Sequence, residues 1–360
     1  MLYSSGIQPG LDHKSTRFLD MQLVWGGLGL GACVVACGID YRWLKRGAWL
    51  LLGGVVVLLI LVMIPGIGVK VNGARRWLPL GIGSNFQPSE LAKLALIVIL
   101  AYYGEKYQSV MPKFIRGLVI PGAIIAPVLI LVFFEPDRGG ALLMAAVCGA
   151  MLLLAGVGVH YLLLGAGAVV SMVLFSLWND PMRLGRIGGW LNLEENKLGV
   201  SYQAWQAMLA FGSGGWTGLG LGNSRQKLGL LPENHTDFIL PVIGEELGLI
   251  ATLAVVLAFI VLMLCGVYIA WNSRDTFGLL LGSGIVFLIG LQALINIGVV
   301  TSAFPNKGLP LPFVSYGGSN LLLMLTCIGI LLSIARRAGN PGGEWSGGHQ
   351  SRDLIAPERA

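Results

Sequence analysis

Long apolar runs alternate with short polar segments along most of the chain, and this pattern predicts membrane-spanning helices. A run of about 18 or more apolar residues is long enough to cross the hydrocarbon core as a helix. We place such runs at residues 22–39, 47–64, 89–104, 117–134, 139–157, 160–178, 247–270, 277–303 and 315–335. The pattern therefore indicates an all-α polytopic membrane protein with about nine transmembrane helices and a large loop at about 179–236, before the seventh helix.

Composition supports this fold class. Hydrophobic residues make up 55% of the chain and charged residues 12%, whereas soluble domains carry about 25% charged residues. We expect one integral membrane domain over residues 1–337 and a polar, Gly/Pro-rich cytoplasmic tail at 338–360 that is disordered. The five cysteines fall inside the apolar runs and are interpreted as packing residues.

Basic residues occur on both predicted membrane faces. By alternation, one face holds residues 41–47, 105–117, 271–275 and 336–338, and we interpret it as cytoplasmic. The opposite face, which holds the loop at 179–236, is also basic, so the rule that Lys and Arg favour cytoplasmic loops barely decides the orientation. A basic outer face is expected if an anionic ligand binds there.

The stretch LLPENHTDFILPVIGEELG (230–248) places acids at the mouth of the seventh predicted helix. Asp237 and Glu245 are eight positions apart, or about 12 Å along a helix axis. Glycosidase carboxylates stand about 5 to 9.5 Å apart, so these acids make a poor hydrolase dyad. One carboxylate suits a reaction that needs a base but no protein acid, because its leaving group, such as pyrophosphate, departs as a stable anion. The competing interpretation is an N-cap or helix-dipole partner at Asp237, with His235 as a capping or loop residue.

Glycine spacings in SYQAWQAMLAFGSGGWTGLGLGNSRQK (201–227) mimic nucleotide-binding motifs. No predicted strand precedes this stretch and no GK[ST] follows it, so we expect no nucleotide site. A nucleic-acid partner is not expected either. The glycines instead indicate a tight, irregular loop at the membrane surface. Arg225 and Lys227 could grip a phosphate, and solvated loop charges are the alternative interpretation.

Two stretches place charge at the start of apolar sequence. In NFQPSELAKLAL, Glu90 and Lys93 are three residues apart at a helix start, where an ion pair is the preferred interpretation. In NGARRWLPLG, Arg75 and Arg76 precede Trp77, an aromatic residue suited to the membrane interface.

Two further stretches suggest structured connections. FFEPDRGGA places Glu135 and Asp137 at a proline-broken turn between helices. NKGLPLPFVSYGGSN (306–320), which contains Lys307 and Ser315, is too apolar for a free loop. It could dip into the membrane where protein contacts satisfy its backbone.

Together, these motifs resemble the SEDS family in order and spacing, from about residue 3 to residue 337. The matching segments are NGARRWLPLG, FQPSELAK, EPDRGGALL, SYQ, GSGGWTGLGLGNSRQK, LPENHTDFI, GEELG, NIGVVT and KGLPLPFVSYGGS. The GNSRQK and KGLPLPFVSYGGS segments are closer to the division branch, FtsW, than to the elongation branch, RodA.

The resemblance implies a peptidoglycan glycosyltransferase that polymerises lipid II at the outer face of the bacterial cytoplasmic membrane. It assigns the family's essential aspartate to Asp237, which would act as general base while undecaprenyl pyrophosphate leaves. Basic residues would meet the pyrophosphate charge, and those that match charged family positions are preferred: Arg75, Lys93 and Lys307, ahead of Arg76, Arg225 and Lys227. Glu245 would tune Asp237 or position a basic partner.

The resemblance also implies partners. A class B penicillin-binding protein transpeptidase and other divisome proteins are expected. A divalent cation, Mg²⁺ or Mn²⁺, could screen the pyrophosphate, although no ligand cluster in the sequence specifies a metal site.

The chain departs from the family pattern at several points. EPDLGT is replaced by EPDRGG, which introduces Arg138 and Gly140; the FIF after HTD becomes FILP, with Pro241; and LLPTKG becomes AFPNKG. MLYSSG resembles the end of the family's first helix, so we expect that a ten-helix form of the protein has one more helix before it.

A flippase or transporter of lipid-linked precursors is the alternative function. Buried charges, broken helices and a basic cavity are typical of transporters as well. Assaying polymerisation after replacement of Asp237 separates the two hypotheses.

Overall fold

The computed structural model describes residues 12–71, 74–79, 85–178, 181–226 and 235–339. Most of these residues are helical, because a helix satisfies every backbone hydrogen-bonding group internally where lipid offers none. In chain order the helices are α1 (Asp12–Gly38), α2 (Arg42–Met63), α3 (Pro88–Lys106), α4 (Ile120–Phe134), α5 (Arg138–Leu154), α6 (Val159–Trp178), α7 (Pro181–Leu191), α8 (Tyr202–Gly214), α9 (Ile239–Trp271), α10 (Thr276–Val300) and α11 (Gly318–Gly339).

Six helical segments in the described part of the chain are long and apolar enough to cross a membrane. They are Leu19–Gly38, Arg42–Met63, Ile115–Phe134, Ile239–Trp271, Thr276–Val300 and Gly318–Gly339. Two shorter apolar helices are Arg138–Leu154 and Val159–Leu174. The prediction of a helical, multi-pass membrane protein is confirmed, and the number of nine crossings stays a prediction.

Helix α3 lies at the centre of the bundle. It is buried around nearly its whole circumference, as expected for a helix that is apolar on all sides, and it packs against α2, α5 and α10. Residues placed at the start of α3 are therefore held within protein and away from lipid.

A small antiparallel sheet, not predicted from the sequence, connects α2 to α3. Strands β1 (Val69–Val71), β2 (Ala74–Pro79) and β3 (Asn85–Phe86) pair in the order β1-β2-β3. These strands are too short to show a clear alternation of apolar and polar residues. The sheet fixes Arg75, Arg76 and Trp77 on its central strand.

The segment predicted as a loop at 179–236 contains two helices, α7 and α8. The prediction of an irregular loop throughout 201–227 was wrong for residues 202–214, which form α8. It is correct for the glycine-rich segment that follows, where Gly215, Gly218, Gly220 and Gly222 have positive φ.

Helices α1 and α11 pack closely along much of their length. A side chain at Gly29 would overlap Leu325, and one at Gly329 would overlap the backbone of Cys33. Small residues at these positions let the two backbones approach each other, which is how membrane helices commonly associate.

Ion pairs join the helix ends at the face of the bundle where α2 begins. Arg42 pairs with Asp275 at 3.0 Å, Lys45 pairs with Glu105, and Arg337 pairs with Asp40; they connect the ends of α1, α2, α3, α10 and α11. Of the tail predicted at 338–360, residues 338 and 339 form the end of α11, and residues 340–360 lie outside the described residues.

Candidate functional site

The HTD triplet (235–237) is bonded through its backbone to two other segments. Its three successive carbonyl oxygens accept hydrogen bonds from Tyr316 N at 2.9 Å, Ser315 Oγ at 2.5 Å and Asn296 Nδ2 at 2.8 Å. Ser315 also accepts a bond from Leu311 N at 2.8 Å. The main chain that carries Asp237 is therefore fixed before α9 begins at Ile239.

The Asp237 side chain lies against the loop between α10 and α11, residues 301–317. A Cβ atom at Gly308 would overlap the Asp237 carboxylate, so glycine permits this approach. On its other side, Gly308 and its neighbour Leu309 lie beside Gly139 near the start of α5. Asp237 is thus close to both the 301–317 loop and the EPDRGG turn.

Four helices begin around this point. Gln87 is the N-cap residue of α3, and its side chain makes no capping hydrogen bond to that helix. Its backbone N–H donates to Ser319 Oγ of α11 at 3.0 Å. Its side chain reaches Asp137, the N-cap of α5, at 3.4 Å, and Asp237 precedes α9 by two residues. Helix N-termini carry partial positive charge, so together they favour an anion at this face.

The EPDRGG turn is held by Arg76. Its guanidinium donates to the backbone oxygens of Glu135 at 2.8 Å and Pro136 at 2.7 Å. The Asp137 carboxylate caps α5 by accepting a bond from Gly140 N at 3.0 Å. A Cβ at position 140 lies close to that carboxylate, so the glycine that replaces the family's hydroxyl residue fits here.

The Glu135 side chain is buried, with 1% exposure. Neither of its carboxyl oxygens has a hydrogen-bond partner among the described residues. Burial, reinforced by the Asp137 carboxylate and opposed by Arg76, raises the pKa of Glu135 to about 8. Glu135 is therefore neutral at pH 7.

Lys307 and Arg75 are two of the cations near this face that have unused charge. Both are partly buried, and neither side chain makes a hydrogen bond or ion pair within the described residues. Burial lowers the pKa of Lys307. A partly desolvated ammonium without a counter-ion favours the binding of an anion.

Lys93 was predicted to bind the pyrophosphate of the substrate, but it is buried and ion-paired inside the bundle. Its ammonium is buried and pairs with Glu90 at 2.7 Å, which confirms the predicted ion pair. It also donates to Gln292 Oε1 at 3.1 Å, and Asn320 donates to the second Glu90 oxygen at 2.8 Å. Lys93 therefore stabilises the packing of α3, α10 and α11.

Glu245 holds the glycine-rich segment against α9. Its buried carboxylate accepts bonds from Ser224 Oγ, from Arg225 N at 3.0 Å and from Gln226 N at 3.3 Å. The carboxylate thus fixes the backbone of Arg225, whose side chain is exposed. Lys227 lies outside the described residues.

The same segment fills a break in α9. Gly248 has non-helical φ 77° and ψ −175°, and residues 215–220 exchange backbone hydrogen bonds with residues 245–250. Side chains at Gly218 or Gly248 would overlap the opposing backbone. Glycine is required at both positions, because the two main chains are in direct contact.

Helices α7 and α8 bind the loop that carries Lys307. Trp190 of α7 donates to the backbone oxygen of Ser302 at 2.9 Å, and Asn306 donates to Gln203 of α8 at 2.8 Å. The segment before α9 therefore covers one side of the 301–317 loop.

The structure brings most of the predicted residues into one region at the mouth of α9. Ser315 is bonded to the backbone of Thr236, the residue before Asp237. The ring centres of His235 and Tyr316 are 5.9 Å apart, and Trp77 is part of the sheet beside the turn. Sequence reasoning missed Gln87, Gln292 and Asn296. Gln292 and Asn296 were detectable as two polar residues, four apart, in an otherwise apolar run.

Within the described residues, no group of three or more His, Cys, Asp or Glu side chains could hold a metal ion. A divalent cation that screens a substrate's phosphates stays a prediction.

The apolar helices, with a polar site where several of them begin, define a multi-pass integral membrane protein. The chain matches the FtsW, RodA and SpoVE family model, described as cell cycle protein, over residues 1–340. It therefore belongs to that family, and the resemblance seen in its motifs is confirmed.

Individual relatives agree with this assignment. The probable peptidoglycan glycosyltransferase FtsW of Geobacter metallireducens is 43% identical over 325 residues, covering 90% of this chain and 86% of the relative. The stage V sporulation protein E of Bacillus subtilis is 39% identical over 332 residues, covering 90% and 89%.

Solved structures show the same fold. A chain of a peptidoglycan synthase complex that coordinates polymerization and crosslinking is similar at TM-score 0.74 and 28% identity, covering 89% of this chain and 90% of that one. The rod shape determining protein RodA of Thermus thermophilus is similar at TM-score 0.66 and 28% identity, covering 94% and 92%.

Proposed function

We propose that this protein is a peptidoglycan glycosyltransferase that polymerises lipid II into glycan strands during cell division. The observation that carries the proposal is the position of the Asp237 carboxylate. Its backbone is held where four helices begin, and it lies close to a loop whose lysine has no ion pair within the described residues. Relatives named as FtsW glycosyltransferases, at about 43% identity, support the same activity.

Asp237 acts as general base. It accepts the proton of an acceptor sugar hydroxyl, whose oxygen attacks the anomeric carbon of the donor. The bond from that carbon to undecaprenyl pyrophosphate breaks, and the pyrophosphate leaves with the electron pair. Glu245 is bonded to the 224–226 backbone, so we assign the role of base to Asp237 and give Glu245 a structural role.

The leaving pyrophosphate is stabilised by the electropositive face around Asp237. Lys307 and Arg75 supply unpaired positive charge, and the starts of α3, α5, α9 and α11 add their helix dipoles. Arg76 contributes charge while holding the EPDRGG turn, and Arg225 and Lys227 are candidates on the adjacent segment. Because Lys93 is paired within the bundle, we assign it a structural role.

The site faces outward from the bacterial cytoplasmic membrane. We place α7 and α8 in the extracytoplasmic segment before the seventh of nine crossings. This orientation places Asp237 beside the sugars while the lipid tail stays in the bilayer. Similarity to a chain of a peptidoglycan synthase complex supports a class B penicillin-binding protein as partner, together with other divisome proteins.

The test is polymerisation of purified lipid II by the Asp237→Asn variant. We expect glycan strand formation to fall by about 100-fold or more, because the general base is lost, while the melting temperature and lipid II binding stay near wild type. Asp40→Asn, the same chemical change in an ion pair at the opposite face, is the matched control and retains activity.

Strand formation by Asp237→Asn at the wild-type rate would refute the assignment of the base. A wild-type protein that moves lipid II between leaflets of a vesicle and forms no strands with its transpeptidase partner would favour the flippase alternative.

A further inference from the structure

Helix α10 carries two carboxamide side chains deep in the bundle. Gln292 is 0% exposed and Asn296 is 2% exposed, and they stand one helical turn apart on the same face. Polar groups buried at such depth are costly unless they are bonded. Their hydrogen-bond partners show which backbone segments the two side chains fix in place.

The Asn296 side chain joins two segments that are distant in sequence. Its Nδ2 donates to the backbone oxygen of Asp237 at 2.8 Å and to that of Leu309 at 2.7 Å. Leu309 follows Gly308, the residue that lies against the Asp237 carboxylate. One amide group therefore sets how the carboxylate meets the 301–317 loop.

Gln292 supports the same loop one turn deeper. Its Nε2 donates to the backbone oxygen of Pro310 at 2.9 Å, and its Oε1 accepts from Lys93 at 3.1 Å. The buried Glu90–Lys93 ion pair thereby fixes the Gln292 amide. Consecutive carbonyls of the loop, at 309 and 310, are thus bonded to consecutive turns of α10.

The Asn296 amide has one orientation only. Both of its partners are carbonyl oxygens, so the NH₂ group must face them. Its Oδ1 is then left without a hydrogen-bond partner among the described residues. The two backbone oxygens of Asp237 and Leu309 therefore determine the orientation of the amide.

We propose that Asn296 is a positioning residue for glycosyl transfer, which holds the Asp237 main chain at a fixed place beside Gly308. The proposal rests on the proposed function, because it takes Asp237 as the base. Asn296 does not touch the reacting atoms. It acts on the rate through Asp237, since displacement of a catalytic group by about 1 Å can lower a rate about 100-fold.

The test compares Asn296→Ala with Ser333→Ala, a control variant that loses the same number of buried hydrogen bonds at another place in the bundle. Ser333 is 0% exposed, donates to Ile39 O at 2.7 Å and accepts from Tyr41 N at 3.3 Å, at the opposite face of the bundle. Asn296→Ala and Ser333→Ala each remove two bonds to the backbone. The purified full-length variants are assayed with lipid II and the transpeptidase partner, per molecule of folded protein.

We expect Asn296→Ala to lower kcat by about 30-fold or more, with KM for lipid II within about threefold of wild type. Ser333→Ala lowers the melting temperature similarly and keeps kcat. A fall in kcat for Asn296→Ala of less than about fivefold relative to Ser333→Ala overturns the proposal. If Asn296→Ala does not fold, Asn296→Ser, which keeps one donor, is judged by the same threshold.

Asp237→Asn is measured in the same series to separate the two proposals. Absence of strand formation by the wild-type protein with its partner defeats the proposed function. Full activity of Asp237→Asn defeats the assignment of Asp237 as base, and with it the positioning role of Asn296. Loss of activity in Asp237→Asn with normal kcat in Asn296→Ala defeats the positioning role alone.

Discussion

Single side chains at this site have different tasks, although their sequence positions look alike. Asp237, Asp137 and Glu245 all stand at or near helix starts. Asp137 caps α5, Glu245 fixes the 224–226 backbone, and Asp237 is held by its main chain with its carboxylate beside a glycine. The contact of Asp137 is local, whereas those of Glu245 and Asp237 join residues that are distant in sequence. These contacts decide the role of each carboxylate.

Glu135 gives a prediction at the residue scale. An unfolded glutamate ionises near pH 4.5, whereas folded Glu135, with its pKa raised to about 8, keeps its proton over that interval. Between these values the unfolded state binds fewer protons, so the free energy of unfolding falls as pH rises, and the fall levels off above pH 8. Glu135→Gln has no such group, so its free energy of unfolding lacks this fall. From pH 5 to pH 8, the stability of the variant relative to wild type should rise by on the order of 2 kcal/mol.

Thermal melting in detergent from pH 5 to pH 9 measures this difference. Glu194→Gln, an exposed position, is the matched control and should follow the wild-type curve. A Glu135→Gln curve parallel to wild type over the whole range would show that Glu135 ionises normally in the folded protein.

At the scale of elements, the break in α9 couples two parts of the site. The helix is interrupted at Gly248, and the irregular segment 215–220 forms backbone hydrogen bonds with the interrupted turns. The segment carrying Arg225 and the helix that begins after Asp237 are thereby one unit. Only glycine fits where the two backbones touch.

Gly248→Ala should therefore separate the segment from α9. Its positive φ and the overlap with Trp216 O predict a loss of about 2 kcal/mol or more in stability, with faster proteolysis within 215–226. Gly53→Ala, in α2 where an added Cβ meets no atom within 4 Å, is the control and should be neutral. Equal melting temperatures and cleavage rates for the two variants would contradict the coupling.

The sequence predicts an element well when neighbouring residues determine it, and poorly when contacts with distant residues determine it. Apolar runs locate the helices because hydropathy is a local property, and the HTD motif locates Asp237. The hydrogen bonds from Arg76 to the Glu135 and Pro136 carbonyls join residues 59 and 60 positions apart. No local sequence pattern predicts them. The short strands and α8 were missed because packing, more than periodicity, determines them.

For the whole molecule, orientation is the property on which the proposed chemistry depends. The chain is basic at both faces, so charge counts alone do not assign the outer one. The site and the ion-paired face lie at opposite ends of the bundle: α9 begins beside Asp237 and ends near Asp275.

Cysteine labelling tests this orientation. Arg225→Cys and Arg274→Cys replace the same residue type at exposed positions on opposite faces. In cells with a permeabilised outer envelope and intact cytoplasmic membrane, an impermeant maleimide should label Arg225→Cys and spare Arg274→Cys, and the parental chain shows the background. The reverse pattern would place Asp237 in the cytosol and exclude polymerisation at the outer face.

The close packing of α1 against α11 has a consequence for biogenesis. During translation α1 enters the bilayer before the other described helices, whereas α11 emerges after all of them. The glycine-lined surface around Gly29 consequently faces lipid or the insertion machinery until α11 has been translated. A truncated product that stops before Gly318 never acquires this partner, and its unmatched α1 would mark it for quality-control proteases.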